Sequence, residues 1–119
     1  MRVLIVDDDE TSCRLLAEIL EGNGFEVAWT TDSMAGYEMS LSHPYDLFIF
    51  DVRMPLLMGT ELALGLKRDC PRAKVILISA FADDSLLKTA TNLGASLLSK
   101  PFTPDRLLNV VAEVLGEQR

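Results

Sequence analysis

The feature that most constrains the fold of this sequence is a repeated switch between two spacings of apolar residues. Short continuous apolar runs, the first at residues 3–6, alternate with longer segments in which apolar residues recur every three or four positions. Continuous runs of this length are typical of strands buried on both faces, and the wider spacing is typical of amphipathic helices. The alternation occurs five times in 119 residues and predicts five strand–helix units in one domain.

The predicted strands cover residues 3–6, 25–30, 45–50, 74–79 and 95–99. The predicted helices are a segment from about Thr11 to Gly22, residues 34–41, a short segment around Leu62 and Leu66, a segment capped by residues 83–85 and closed by Gly94, and a segment capped by Thr103. Parallel strands joined by crossover helices connect right-handedly, which allows an open doubly wound sheet or a barrel. A barrel normally needs about 250 residues, so the sequence favours the open α/β sheet.

Composition excludes several classes of function. The net charge of −7 argues against direct binding to nucleic acid or to an anionic membrane, because both partners require a basic surface. The two cysteines, Cys13 and Cys70, form no CxxC pair, which argues against a zinc site and a redox dithiol. The first apolar run stops after four residues, far short of a signal peptide or a membrane span. We therefore expect a cytoplasmic protein.

Four of the apolar runs lead into residues that are suited to phosphate or metal chemistry. The runs lead to Asp7, Asp51, Ser79 and, after one serine, Lys100. Because the carboxyl ends of neighbouring parallel strands lie along one edge of a sheet, these side chains are expected to share one crevice. The sequence therefore predicts a site that combines acids, a hydroxyl group and an ammonium group.

Each of these residues also has a simpler explanation. Asp7, Asp8 and Asp9 precede a predicted helix and are suited to capping it, or they form a site for Mg²⁺, which prefers oxygen ligands. Asp51 is suited to a structural salt bridge, or it acts as a nucleophile toward a phosphoryl group. Lys100 would be a surface lysine or the partner of that acid, and Ser79 would start a turn or donate a hydrogen bond to a phosphoryl oxygen.

The residues resemble the receiver domain of bacterial two-component response regulators along essentially the whole chain. The resemblance lies in four segments that occur in order, VLIVDDDE, DLFIFDVRMP, VILISAF and KPF. It implies a flavodoxin-like doubly wound sheet of five parallel strands in the order 2-1-3-4-5 with five helices, and a single receiver domain at residues 1–119. It also implies a phosphoprotein that receives its phosphoryl group from a sensor histidine kinase or a phosphotransfer protein.

Residue by residue, the resemblance assigns Asp51 as the phosphoacceptor, Ser79 as the switch hydroxyl and Lys100 as the phosphate-pairing lysine. Asp9 matches a position that is often acidic but is not a usual metal ligand. The implied ligands of Mg²⁺ are Asp7, Asp8, Asp51 and the backbone carbonyl of Arg53. The implied role is a switch that loses its phosphate by its own chemistry, and not a dedicated enzyme.

Two features of this chain depart from the family pattern or add to it. The segment GASLLSKPF is one residue shorter between Gly94 and Lys100 than is common, and Leu97 stands where an aromatic residue is frequent. We hypothesise that the fifth strand and the last two helices shift on phosphorylation through an aliphatic side chain. Arg53 follows the acceptor by two residues, and we expect Arg53→Ala to alter the lifetime of the phosphorylated form.

Two other functions remain open at this stage. A Mg²⁺-dependent phosphohydrolase would use Asp51 as its nucleophile, but no second acid follows two residues later to act as general acid. A docking module that works without phosphorylation would need only the fold. We also leave open an output domain or effector partner and a homodimer formed on phosphorylation. The apolar loop at residues 54–58 and Phe81 either pack near the site or offer a hydrophobic contact to a partner.

Overall fold

The computed structural model describes residues 1–116, and residues 117–119 of the predicted domain lie outside the described part. Strands and helices alternate as the sequence predicts. The strands are β1 (Arg2–Val6), β2 (Glu26–Thr30), β3 (Leu47–Asp51), β4 (Val75–Ser79) and β5 (Ser96–Ser99). The helices are α1 (Glu10–Glu21), α2 (Ser33–Ser42), α3 (Gly59–Asp69), α4 (Asp84–Leu93) and α5 (Pro104–Leu115). None of these helices is both long enough and apolar enough to cross a lipid bilayer.

All the strands are parallel and form one sheet in the order β2-β1-β3-β4-β5. The predicted flavodoxin-like order is therefore confirmed. After β1 the chain moves outward to β2, and it then returns past β1 to form β3. The strand order thus reverses between β1 and β3, and a crevice at the carboxyl ends of these two strands is where doubly wound sheets bind ligands.

The sheet separates two hydrophobic layers, which explains the continuous apolar runs. Alternate residues of one strand face opposite layers: Ile49 packs with residues of α1 and α5, whereas Phe50 packs with residues of α3 and α4. Both side chains are fully buried, and burying each of them contributes about 1.5–3 kcal/mol. The central strands are therefore held firmly from both faces.

Several element boundaries differ from the prediction by one or two residues, and local hydrogen bonds lie at two of them. Helix α1 begins at Glu10, since the Asp9 side chain accepts the Thr11 backbone N–H at 3.0 Å and acts as the N-cap. Strand β3 begins at Leu47 and not at residue 45. Asp46 instead bonds to Arg2 through its backbone N–H at 2.8 Å and through its carboxylate at 2.7 Å. Of the three consecutive acids, the one that caps the helix is Asp9.

The apolar loop between β3 and α3 packs only in part. Met54 is buried, and Leu57 is half-buried against the core layer next to α3. Leu56 is 88% exposed and has a left-handed backbone conformation with φ of 71°. Met54 and Leu57 therefore pack against the domain, whereas Leu56 and Met58 are exposed.

Candidate functional site

Three carboxylates meet at the switch point of the sheet. Asp7 follows β1, Asp51 ends β3, and each of Asp7, Asp8 and Asp51 offers an oxygen within 4.8 Å of the other two. Asp7 is fully buried and Asp51 is 8% exposed, whereas Asp8 faces solvent. The backbone N–H of Asp9 donates to Asp7 Oδ1 at 2.9 Å and orients that carboxylate. The crevice is thus acidic, and one of its sides is open.

Lys100 follows the edge strand β5, and its side chain extends to this cluster. Its Nζ lies 3.1 Å from Asp7 Oδ2 and 3.5 Å from Asp51 Oδ1. The backbone N–H of Lys100 donates to the Ser79 carbonyl at 2.8 Å, so the ends of β4 and β5 are tied together beside the acids. Lys100 is therefore the partner of the buried acids and not a surface lysine.

The electrostatics leave the acids incompletely compensated. Burial, followed by the nearby Asp7 charge, raises the pKa of Asp51 to about 6, although Lys100 opposes the shift. Burial lowers the pKa of Lys100, but the charges of Asp7 and Asp51 outweigh it and the net pKa is raised. One ammonium group between two carboxylates leaves negative charge, which a divalent cation would neutralise. Because Mg²⁺ prefers carboxylate and carbonyl oxygens, the donor set fits that ion.

A residue that the sequence interpretation missed determines the shape of the crevice. Gly59 begins α3 and lies against the end of β3, where a Cβ atom would stand 2.1 Å from the Asp51 carbonyl oxygen. Its backbone N–H donates to the Val52 carbonyl at 2.9 Å. Only glycine allows this close approach. The loop that carries Arg53 therefore folds back tightly against the backbone at the end of β3.

A second missed residue is Cys13, on α1. It is fully buried, and its Sγ lies 3.2 Å from the Asp7 carbonyl oxygen, to which the thiol donates. Burial, with the nearby Asp7 charge, raises the pKa of the Cys13 thiol to about 12, so the thiol stays protonated and can act as a donor. The only sequence signal for this contact is a cysteine within the predicted first helix.

The switch candidate lies at the other side of the crevice. Ser79 is 2% exposed, and its Oγ accepts the backbone N–H of Phe81 at 3.0 Å. The ring of Phe81 is on the surface and carries the Arg53 guanidinium at 5.0 Å from the ring centroid. The structure thus separates the predicted site residues into two groups. Four of them form one ionic cluster, Asp7, Asp8, Asp51 and Lys100, whereas Ser79 and the Arg53 side chain lie beside it.

The fold and this acid–lysine cluster define a doubly wound α/β domain with an ionic site at its switch point. The family profile described as the response regulator receiver domain matches residues 3–112. The chemotaxis protein CheY of Bacillus subtilis is 33% identical over 117 residues, covering 97% of this chain and 98% of that protein. A response regulator receiver protein of Anaeromyxobacter is 36% identical, and the match covers 92% of this chain but 46% of that protein.

Structural comparison agrees with the sequence comparison. The crystal structure of a CheY-like receiver domain protein from Methanospirillum hungatei has a TM-score of 0.91 and 31% identity, with 97% of this chain and 93% of that chain covered. The chain belongs to the response regulator receiver domain family. The family function is phosphoacceptance in two-component signal transduction.

Proposed function

We propose that Asp51 is the residue of this receiver domain that accepts the phosphoryl group. The observation that carries the proposal is its position: a carboxylate at the end of a fully buried strand, 3.5 Å from Lys100 and grouped with Asp7 and Asp8. Burial keeps the carboxylate in one place, and an activated acid of this kind is suited to nucleophilic attack. The donor is a phosphohistidine on a sensor kinase or a phosphotransfer protein.

In this reaction an Asp51 oxygen forms a bond to phosphorus while the bond between phosphorus and the histidine nitrogen breaks. Lys100 already contacts the acceptor and neutralises charge on the phosphoryl group. Mg²⁺, when bound by Asp7, Asp8, Asp51 and the carbonyl of Arg53, supplies further charge stabilisation. Ser79 contributes a hydroxyl group, which can donate a hydrogen bond to a phosphoryl oxygen while its Oγ accepts the Phe81 N–H.

The surroundings of Asp51 favour a switch over a phosphohydrolase. A hydrolase that uses an aspartate nucleophile benefits from a general acid nearby, and the position two residues later is Arg53, whose guanidinium stacks on Phe81. The presence of the complete ionic cluster argues against a docking module that works without phosphorylation. We therefore propose a signalling switch that returns to its resting state by slow loss of phosphate.

The partners and the setting follow from the same proposal. We propose that the domain works in the cytoplasm, where sensor kinases present their phosphohistidine, and that phosphorylation changes its contact with an output domain or a separate effector. The chain spans about half the length of the Anaeromyxobacter relative. In that relative, a receiver domain is therefore accompanied by further sequence, which supports the proposal of an output domain.

Intact mass spectrometry tests the assignment. The parent, Asp51→Asn and the control Asp69→Asn, which alters an exposed acid at the end of α3, are incubated with Mg²⁺ and acetyl phosphate. We expect one added phosphoryl group on the parent and on Asp69→Asn, and none on Asp51→Asn. Phosphorylation of Asp51→Asn would disprove the assignment. Sustained turnover of phosphate esters would support the hydrolase, and no modification of the parent would support the docking module.

A further inference from the structure

Ser33 is a buried polar residue that none of the steps proposed above uses. It is the first residue of α2 and is 3% exposed. It is not needed to cap this helix, because the Asp32 side chain accepts the Met34 backbone N–H at 3.1 Å. Its hydroxyl instead donates to the Pro55 carbonyl at 2.9 Å, in the loop between β3 and α3. A buried hydroxyl group thus joins α2 to a segment that is 22 residues away in the sequence.

The backbone that accepts this hydrogen bond is strained. The Leu57 backbone N–H also donates to the Pro55 carbonyl, at 2.8 Å, across Leu56 with its φ of 71°. A bond between residues two apart around a positive φ forms a γ-turn of the rare and strained type. Leu56 is 88% exposed, so packing of its side chain does little to offset the strain. The bond from Ser33 ties this strained turn to another element of the fold.

Helix α2 is itself packed closely against the strand that leads to the acids. Gly36 lies so near to β1 that a Cβ atom at this position would stand 2.6 Å from Val6 Cγ2. Val6 directly precedes Asp7, one of the proposed ligands of Mg²⁺. The serine hydroxyl at the start of the same helix contacts the loop two residues after Arg53, whose carbonyl is another proposed ligand. The start of α2 therefore joins the backbone on both sides of the proposed metal site.

We propose that Ser33 is a positioning residue for the Mg²⁺ site, because its hydroxyl holds the strained turn and thereby keeps the Arg53 carbonyl in place. This inference rests on the proposed function, in which that carbonyl is a ligand of the metal. Ser33 touches no proposed ligand and acts through the backbone of Met54 and Pro55. When the bond is absent, the turn is free to relax from its left-handed conformation, and part of the binding free energy of Mg²⁺ is then used to order the loop.

A merely structural role for this hydroxyl predicts a different response to a second substitution. Glycine adopts a positive φ about as readily as a negative one, so Leu56→Gly removes the strain that the Ser33 bond opposes. If Ser33 acts by holding the strained turn, its removal weakens Mg²⁺ binding in the parent but has little effect in the Leu56→Gly background. If Ser33 contributes only to the packing of α2, its removal has the same effect in both backgrounds.

Calorimetric titration with Mg²⁺, without any phosphoryl donor, tests the proposal on the parent, Ser33→Ala, Leu56→Gly and the double variant. We expect Ser33→Ala to bind Mg²⁺ about 3- to 10-fold more weakly than the parent, the factor that corresponds to one hydrogen bond. Leu56→Gly should bind Mg²⁺ nearly as tightly as the parent, and the double variant should bind it like Leu56→Gly. In protein free of metal, the Leu57 amide should exchange with solvent faster in Ser33→Ala than in the parent, because the turn opens more often.

Ser40→Ala is the matched control. Ser40 is a buried serine of the same helix, 6% exposed, and its Oγ donates to the Tyr37 carbonyl within α2 at 2.6 Å. Ser40→Ala loses a hydrogen bond of the same kind, but that bond does not reach the loop. The variant should therefore bind Mg²⁺ like the parent.

Equal Mg²⁺ affinity in the parent and Ser33→Ala would overturn the proposal, and so would an equal loss of affinity or of folding on Ser33→Ala in both backgrounds. A Ser40→Ala variant that binds Mg²⁺ as weakly as Ser33→Ala would overturn it too. The proposed function is judged separately, by the phosphoryl group that the parent gains. A phosphorylated parent with unaffected variants overturns only the positioning role of Ser33, whereas a parent that gains no phosphoryl group and binds no Mg²⁺ overturns both.

Discussion

Strands β3 and β5 supply the two oppositely charged partners of the site, yet they are held very differently. All the residues of β3 are buried at the centre of the sheet, and Asp51 is the last of them. Strand β5 is an edge strand of four residues with only Leu98 buried, and Lys100 follows directly after it. Asp51 is therefore held in place by the core, whereas Lys100 lies at the end of a loosely packed edge strand.

The elements next to β5 share this loose packing. Helix α4 buries only Ala90. In the turn into β5, the Gly94 carbonyl accepts a hydrogen bond from the long side chain of Lys67 on α3, at 3.2 Å. Regions with few buried apolar contacts open at low free-energy cost. We therefore expect a change at the site to be transmitted through β5 and α4, while β3 stays in place.

The largest effect on stability is expected from Gly59→Ala, which alters the packing at the end of β3. The new Cβ would stand 2.1 Å from the Asp51 carbonyl oxygen, a contact that the chain relieves only by moving the backbone at the end of β3. We expect the free energy of unfolding to fall by about 3 kcal/mol, the upper end of the cost of overpacking. Urea unfolding at neutral pH measures this change.

Gly22→Ala is the control for that variant. Gly22 has an ordinary helical backbone conformation, with φ of −62°, and the nearest atom to its Cβ position is the Glu18 carbonyl oxygen at 3.2 Å. Gly22→Ala should therefore lower the free energy of unfolding far less than Gly59→Ala does. Equal losses in the two alanine variants would mean that the end of β3 is not more rigidly packed than a helix terminus.

A smaller effect is expected when the charge of Asp51 is removed by Asp51→Asn in protein free of divalent cations. Burial raises the pKa of this carboxyl from 3.8 to about 6, so the folded state binds the proton more tightly than the unfolded state. The contribution of Asp51 to the stability of the parent is then greatest below pH 4 and is lost as the pH rises through 6. We expect Asp51→Asn to be more stable than the parent by about 2–3 kcal/mol at pH 7.5 and equal to it at pH 4.

Urea unfolding of both proteins at the two pH values checks this expectation. A difference in stability that is the same at pH 7.5 and pH 4 would show that the carboxylate is not under electrostatic strain. In that case β3 would hold the acid at no cost, and Lys100 would compensate its charge fully. The two strands would then still differ in burial, but no electrostatic strain would distinguish β3.

The alternation of strands and helices and the site at the strand ends could be predicted because buried parallel strands and chemistry-bearing strand ends leave local patterns, whereas the strand order followed from the resemblance to the receiver family. Asp7, Asp51 and Lys100 each stand close after an apolar run. The close approach of Gly59 to Asp51 and the stacking of Arg53 on Phe81 could not be predicted, because both join segments that the fold brings together. Likewise, the sequence predicts Tyr45 in β3, whereas the strand begins at Leu47, after Asp46 has formed its hydrogen bonds with Arg2.

The smallest effect is expected at the loose edge, from Leu97→Ala. Leu97 pairs in register with Leu77 of β4 and is half-buried in the layer that includes Leu86 and Leu93 of α4. Truncation of a half-buried leucine should cost about 1 kcal/mol, less than at a fully buried site. Amide spectra recorded before and after phosphorylation should show shifts along β5 and α4 in the parent and weaker shifts along α4 in Leu97→Ala.

The opposite edge of the sheet provides the matched control for this prediction. Val27 is a half-buried aliphatic residue on β2, and Val27→Ala should leave the shifts along β5 and α4 at their parental size. If the amides of β5, α4 and α5 do not shift when the parent is phosphorylated, transmission through an aliphatic side chain is wrong. If β2 shifts as much as β5, the two edges respond alike, and the weak burial of β5 does not determine where the signal leaves the site.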